Sequence, residues 1–178
     1  NLGKRKKLTE MTLREIRDFQ IYRQGAFKNS GAVGAFQFMP STLFGKDWRT
    51  TENGSGGRVG KTGISMDTVF NEVTQNKLAE PALKDNLATL KANGVPTTPA
   101  FAYMSWYVGP TGTVAIWKAI QNGEGGKKVS EILDAAKINW GPNANPELGA
   151  KTLKGGLPNT ADNFVLTMQN RLLNQGLV

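Results

Sequence analysis

Two residue types are missing from this chain of 178 residues, and their absence removes whole classes of chemistry. There is no cysteine, so disulfides and thiolate metal sites are excluded. There is no histidine, which takes away both the commonest metal ligand and the usual general base near neutral pH. A Ser-His-Asp or Cys-His hydrolase therefore cannot be built within the chain. Long apolar runs are also missing, and none approaches the ~20 residues that a membrane-spanning helix needs. Lys4 to Lys7 form a basic cluster, but no apolar segment of ~7–15 residues follows, so no secretory signal is read there.

What is present fits one soluble globular domain over residues 1–178. Hydrophobic residues make up 39% of the chain, and its length suffices for a sizeable core. The formal net charge is +8, from 22 Lys and Arg against 14 Asp and Glu. Such a balance favours polyanionic partners, whether nucleic acid, anionic lipid or acidic cell wall, without choosing among them. The aromatic residues do not interleave with Lys and Arg as single-strand binding requires, so no specific nucleic-acid partner is expected.

The coarse pattern is mainly α. Thr12-Leu-Arg-Glu15 is a capping box, and Leu13, Ile16 and Phe19 follow at helical spacing towards Arg23. Gly25 to Gly34 reads as a loop, and Pro40 opens a short helix towards Phe44. Asn53 to Gly63 is too glycine-rich for regular structure. Ser65 is the expected cap of a helix carrying Met66, Val69, Phe70 and Val73, interrupted or kinked at Pro81. The pattern resumes with Leu83, Leu87 and Leu90 and ends at Gly94. Ala100 to Val108 predicts a buried helix, and Gly109 to Gly112 a turn before a helix with Val114, Ile116, Trp117 and Ile120. Gly123 to Gly126 breaks that helix. Ser130 is the expected cap of another, with Ile132, Leu133 and Ala136; Trp140 to Pro146 reads as a loop. Thr160 to Leu173 predicts a last amphipathic helix carrying Phe164, Val165, Met168 and Leu172.

Gly60-Lys61-Thr62 has the end of a phosphate-binding loop but not its beginning. That motif needs glycine at position 55, where Ser55 stands, and a hydrophobic strand upstream. Lys46 to Glu52 is no such strand, so no nucleotide site is expected.

Two other stretches carry more information. Gly31-Ala-Val-Gly-Ala-Phe-Gln-Phe-Met-Pro-Ser-Thr-Leu43 places a glutamine between two phenylalanines, which packing alone rarely requires. It resembles the signature of lysozyme-like lytic transglycosylases, which lines a glycan groove. Ala102-Tyr-Met-Ser-Trp-Tyr-Val-Gly-Pro-Thr-Gly-Thr-Val114 resembles the second signature of the same family. In cellular members an asparagine follows the tyrosine; the form here is closer to phage virion and tail-associated members. Trp106 stands at the position of a frequent histidine. Leu8 to Gln20 and Asn86 to Gly94 resemble the helices that precede the two signatures, so the likeness covers roughly Asn1 to Ile120, with a thinner match to Leu173.

The resemblance implies a goose-type, lysozyme-like helical fold with a glycan cleft, and cleavage of peptidoglycan strands by a phage virion protein during genome entry. It implies no metal and no cofactor, and other virion or tail proteins as partners. Its catalytic glutamate is expected upstream of Asn1, at the end of a preceding helix, so that this chain lacks the acid. Glu10 is the substitute within the chain, since Glu15 belongs to the capping box. Gln37 would hydrogen-bond the sugar near the scissile bond, with Phe38 and Met39 shaping the groove. Ser30 would lie near the acid or an N-acetyl group. Tyr103 matches the tyrosine that positions the acid, and Trp106 would stack on a sugar face. For Phe38 and Trp106 plain core packing is an equal reading. A catalytically inactive glycan-binding or structural module of the same fold is the alternative.

Overall fold

A computed structural model of the chain describes residues 40–45, 57, 72–140 and 146–174. Among these the protein is mainly helical, with seven helices, no β-strand and two isolated bridges. The helices are α1 (Pro40–Phe44), α2 (Glu72–Ala92), α3 (Pro99–Tyr107), α4 (Gly109–Gln121), α5 (Val129–Ala135), α6 (Pro146–Gly149) and α7 (Ala161–Asn174). The chain divides into two compact units, Asn1–Ala82 and Leu83–Val178. The capping box at Thr12, the loop Gly25 to Gly34 and the Ser65 cap with Met66, Val69 and Phe70 lie outside the described residues.

In the first unit, α1 has the bounds that Pro40 and its following residues predict. Leu43 is fully buried, and Gly45 (φ +92°) closes the helix by donating its amide to the Ser41 carbonyl. Gly57, from the glycine-rich stretch, lies against the backbone there. A Cβ added to it would collide with the Leu43 carbonyl, so a side chain has no room.

Helix α2 runs through Pro81 without a break, contrary to the expected interruption. A proline inside a helix costs ~3 kcal/mol. Good helix formers on either side and the burial of Leu78, Ala79 and Ala82 offset that cost. Val73, expected on an apolar face, is 64% exposed instead. Towards the C-terminal end burial deepens: Leu83 is exposed, Leu87 packs at the edge of the core and Leu90 belongs to it. The helix ends in a Schellman motif. The Val95 amide reaches back to the Leu90 carbonyl at 3.0 Å and the Gly94 amide to Lys91 at 3.1 Å. Gly94 takes the left-handed conformation this needs (φ +68°), and Leu90 and Val95 both enter the core.

The second unit is built around α3, with Phe101, Met104 and the following Val108 in its core. Helix α3 packs on α4 and α7, and α4 packs on α5 and α7. Phe101 meets Trp117 edge to face, with ring centroids 5.2 Å apart. The expected turn at Gly109 to Gly112 is largely helix. Only Val108 separates α3 from α4, and the reversal is carried by Gly109 at φ +78°. Pro110 then sits in the first turn, where its missing N–H is not needed. Gly112 is buried: a Cβ there would stand 3.2 Å from Val108 Cγ2 and 3.4 Å from Leu133 Cδ2. The glycine therefore lets α3 and α4 meet so abruptly.

Two more expectations are corrected. Ser130 does not cap α5; Lys128 is the N-cap residue, and the Val129 amide donates to the Asn159 carbonyl at 3.2 Å. A distant backbone group thus does the work assigned to the serine. Pro146, taken as the end of a loop, begins the short helix α6. Helix α7 closely follows its expected span, with Phe164, Met168 and Leu172 buried. Its first two amides, from Ala161 and Asp162, donate to the carbonyls of Lys127 and Gly125 at 3.0 and 3.1 Å.

Asn159 ties several of these ends together. Its Nδ2 faces the carbonyls of Glu147, Leu148 and Ala150 at 2.8, 3.0 and 3.1 Å, which closes the C-terminal end of α6. Asn159→Ala is expected to lower the unfolding free energy by about 2–3 kcal/mol, from lost hydrogen bonds and stranded buried carbonyls. Asn159→Asp should cost more, because it turns a charge towards three carbonyl oxygens. Urea denaturation of the two variants checks this, and wild-type midpoints for both would refute the role.

Candidate functional site

Of the residues that sequence reasoning assigns to a glycan groove, the described structure contains Tyr103 and Trp106, both on α3. Glu10, Ser30, Gln37, Phe38 and Met39 lie outside the described residues. Tyr103 and Trp106 are three positions apart, which sets them side by side on one helix surface. Both are half-buried. Tyr103, like Tyr107 one turn later, packs against the core, whereas Trp106 is not among the residues that flank it.

The turn of α3 that carries these aromatics is held from several sides. The helix stops at Tyr107, and the left-handed Gly109 follows, so the last carbonyls of α3 need partners outside the helix. Val108 donates to the Met104 carbonyl at 2.8 Å. The Ser105 carbonyl accepts from Asn86 Nδ2 of α2 at 3.1 Å, a side-chain cap on the end of α3. Asn86 is a residue whose role no local pattern announces.

A second anchor lies at Tyr107. Its hydroxyl donates to Glu147 Oε2 at 2.8 Å, and Arg171 from the last turn of α7 pairs with Glu147 Oε1. The Arg171 guanidinium also stands over the Tyr107 ring, 5.8 Å from its centroid, and Phe164 lies against the same tyrosine at 6.2 Å. The Glu147 and Arg171 side chains are only 23% and 24% exposed. Sequence reasoning missed this trio because its members are 24 to 64 positions apart. The one local hint was Pro146, which starts the helix that presents Glu147.

Burial pushes the Tyr107 phenol up to about 12, helped by its hydrogen bond to the Glu147 carboxylate and opposed by Arg171. Burial acts to lower Arg171, but the adjacent Glu147 carboxylate outweighs it and holds the guanidinium above its ordinary value. Both Glu147 oxygens carry a donor. The arrangement is suited to holding three elements together rather than to handing a proton to a glycosidic oxygen.

A shallow groove of about 500 Å³ opens between α4 and α5, floored by residues such as Val114, Ala119 and Ile132 and rimmed by Lys118, Asn122 and Glu131. None of the expected site residues lines it. Its acidic rim is matched locally, Glu131 by Lys128 at 3.4 Å and Glu124 by Lys127. Among the described residues no cluster of three Asp or Glu side chains could hold a metal ion, and no helix is long and apolar enough to cross a membrane. No family model, curated protein or solved structure matches the chain.

The Tyr107 environment makes a pH prediction. The unfolded chain releases this proton near 10 and the folded chain near 12. The stabilisation is thus fully present below pH 10 and is lost as pH rises towards about 12, because alkali favours the state that ionises first. Spectroscopic titration should show Tyr107 ionising late, at about 12. Tyr107→Phe should remove that late step, and its persistence in the variant would assign it elsewhere.

Proposed function

We propose that this chain provides the glycan groove of a lysozyme-like peptidoglycan lytic transglycosylase carried in a bacteriophage virion, where it opens the cell wall during genome entry. The observation that carries the reading is the ordered pair of signatures, Gly31 to Leu43 and Ala102 to Val114. The mainly helical architecture is compatible with it. The second signature also makes physical sense as a unit: its aromatic half forms α3, and its Gly-Pro-x-Gly half forms the abrupt start of α4. The net charge of +8 suits an acidic glycan polymer.

In this reading Gln37 bonds the sugar beside the scissile link between N-acetylmuramic acid and N-acetylglucosamine. Phe38, Met39 and Trp106 supply apolar faces for sugar rings, and Tyr103 orients the acid. One carboxyl protonates the bridging oxygen as the bond breaks, and the resulting carboxylate then accepts the proton of the muramic 6-hydroxyl as that oxygen closes on C1. The product is an anhydro sugar, and neither water nor a second carboxylate is consumed. Within the chain Glu10 is the carboxyl this scheme would use.

The alternative is a module that holds glycan or builds the virion without cleaving. Purified peptidoglycan incubated with the protein separates the readings by mass spectrometry of the soluble fragments. Anhydro-muropeptides are the expected products. Reducing-end sugars alone would make the protein a hydrolase, and binding without products would leave the non-catalytic module. Glu10→Gln in the same assay should abolish the yield if Glu10 is the acid, and an unchanged yield would assign that role to another carboxyl.

A further inference from the structure

We propose that Glu147, clamped between Tyr107 and Arg171, is a positioning residue for the side of α3 that carries Tyr103 and Trp106. The inference rests on the glycan reading above and adds to it a part that no signature residue supplies. Three observations converge on it. Tyr107 is the last residue of α3, one position after Trp106 and one helical turn after Tyr103, so whatever fixes Tyr107 fixes the azimuth of both. Glu147 grips the Tyr107 hydroxyl at 2.8 Å and is itself held by Arg171, so its carboxylate cannot swing without breaking an ion pair. The opposite tether, Asn86 on the Ser105 carbonyl, stops the same turn from fraying.

A partly buried ion pair is a poor way to gain stability, since desolvation offsets much of its attraction. What it supplies is direction. Two donors on one carboxylate define the rotation of α3 about its axis more narrowly than apolar packing of Met104 and Phe101 alone. An aromatic platform for a sugar ring needs that definition, because small displacements of a contact surface weaken binding steeply. The trio also links α3 to α6 and α7 within the second unit, so the platform is referred to elements that carry the fully buried Leu148, Phe164 and Met168.

The test uses the full chain as wild type, Glu147→Ala, Glu147→Gln and Arg171→Met. Amide hydrogen exchange is followed across the unit, and affinity for insoluble peptidoglycan is measured by sedimentation. Glu147→Ala should speed exchange of the amides at the end of α3 about tenfold, with α5 unchanged, and weaken peptidoglycan binding by about tenfold. Glu147→Gln still accepts the Tyr107 hydroxyl and should recover most of both. Arg171→Met keeps a long apolar stem over the Tyr107 ring and should fall between them. Wild-type binding that persists in Glu147→Ala overturns the positioning role while leaving the glycan reading intact. Exchange that rises uniformly across the unit also overturns it, since the trio would then be an ordinary stabilising contact. A wild-type chain with no affinity for peptidoglycan removes the glycan reading and this proposal with it, whatever the exchange pattern shows.

Discussion

Short helices leave backbone groups that their own residues cannot satisfy, and that constraint shapes the second unit more than any single apolar contact. Each helix end exposes up to four amides or four carbonyls. In a core this small those groups are close to being buried, where an unpaired one costs on the order of 1–3 kcal/mol. The solutions are long-range. Asn86 serves the end of α3, Asn159 serves α6, and the carbonyls of Gly125, Lys127 and Asn159 serve the starts of α7 and α5. Each cap also ties two elements together, so the arrangement of helices and the satisfaction of their ends are one problem with one solution.

This constraint explains where reading the sequence succeeds. Helices α1, α3 and α7 follow from proline at a start and apolar residues at helical spacing, and the end of α2 follows from Gly94. These signals are local, and the forces behind them act over one or two turns. Serine at 130 misleads for the opposite reason. A serine before an apolar pair is a common cap, but here the nearest acceptor to the Val129 amide comes from Asn159, thirty residues on. Pro81 does not interrupt α2, because burial of Leu78, Ala79 and Ala82 offsets the local penalty. Nothing nearby in the chain announces either outcome.

The candidate site divides in the same way. Tyr103 and Trp106 could be paired from their spacing alone, because a helix of known phase sets residues three apart on one surface. The trio behind them could not. Tyr107 looks like a third aromatic of an apolar helix, Glu147 like a surface acid after a proline, and Arg171 like a favourable charge near a helix C-terminus. Only folding shows that the three meet, and only their meeting shows that each Glu147 oxygen accepts from a neighbouring element.

The geometry of the second signature also changes which of its residues carry functional information. Gly109 is favoured by a left-handed backbone, Pro110 suits a first helical turn, and a Cβ at Gly112 would press on the Val108 and Leu133 side chains. These three have sufficient steric causes, so any protein that joins two packed helices through one residue would favour them. The same cannot be said of Trp106. Trp106 is half-buried and stands outside the core cluster and the residues that flank it, so core packing alone does not account for an indole there. The ordered pair of signatures still carries the proposed glycan surface, but within the second one Tyr103 and Trp106 say more about a ligand than the glycines, which have steric causes of their own.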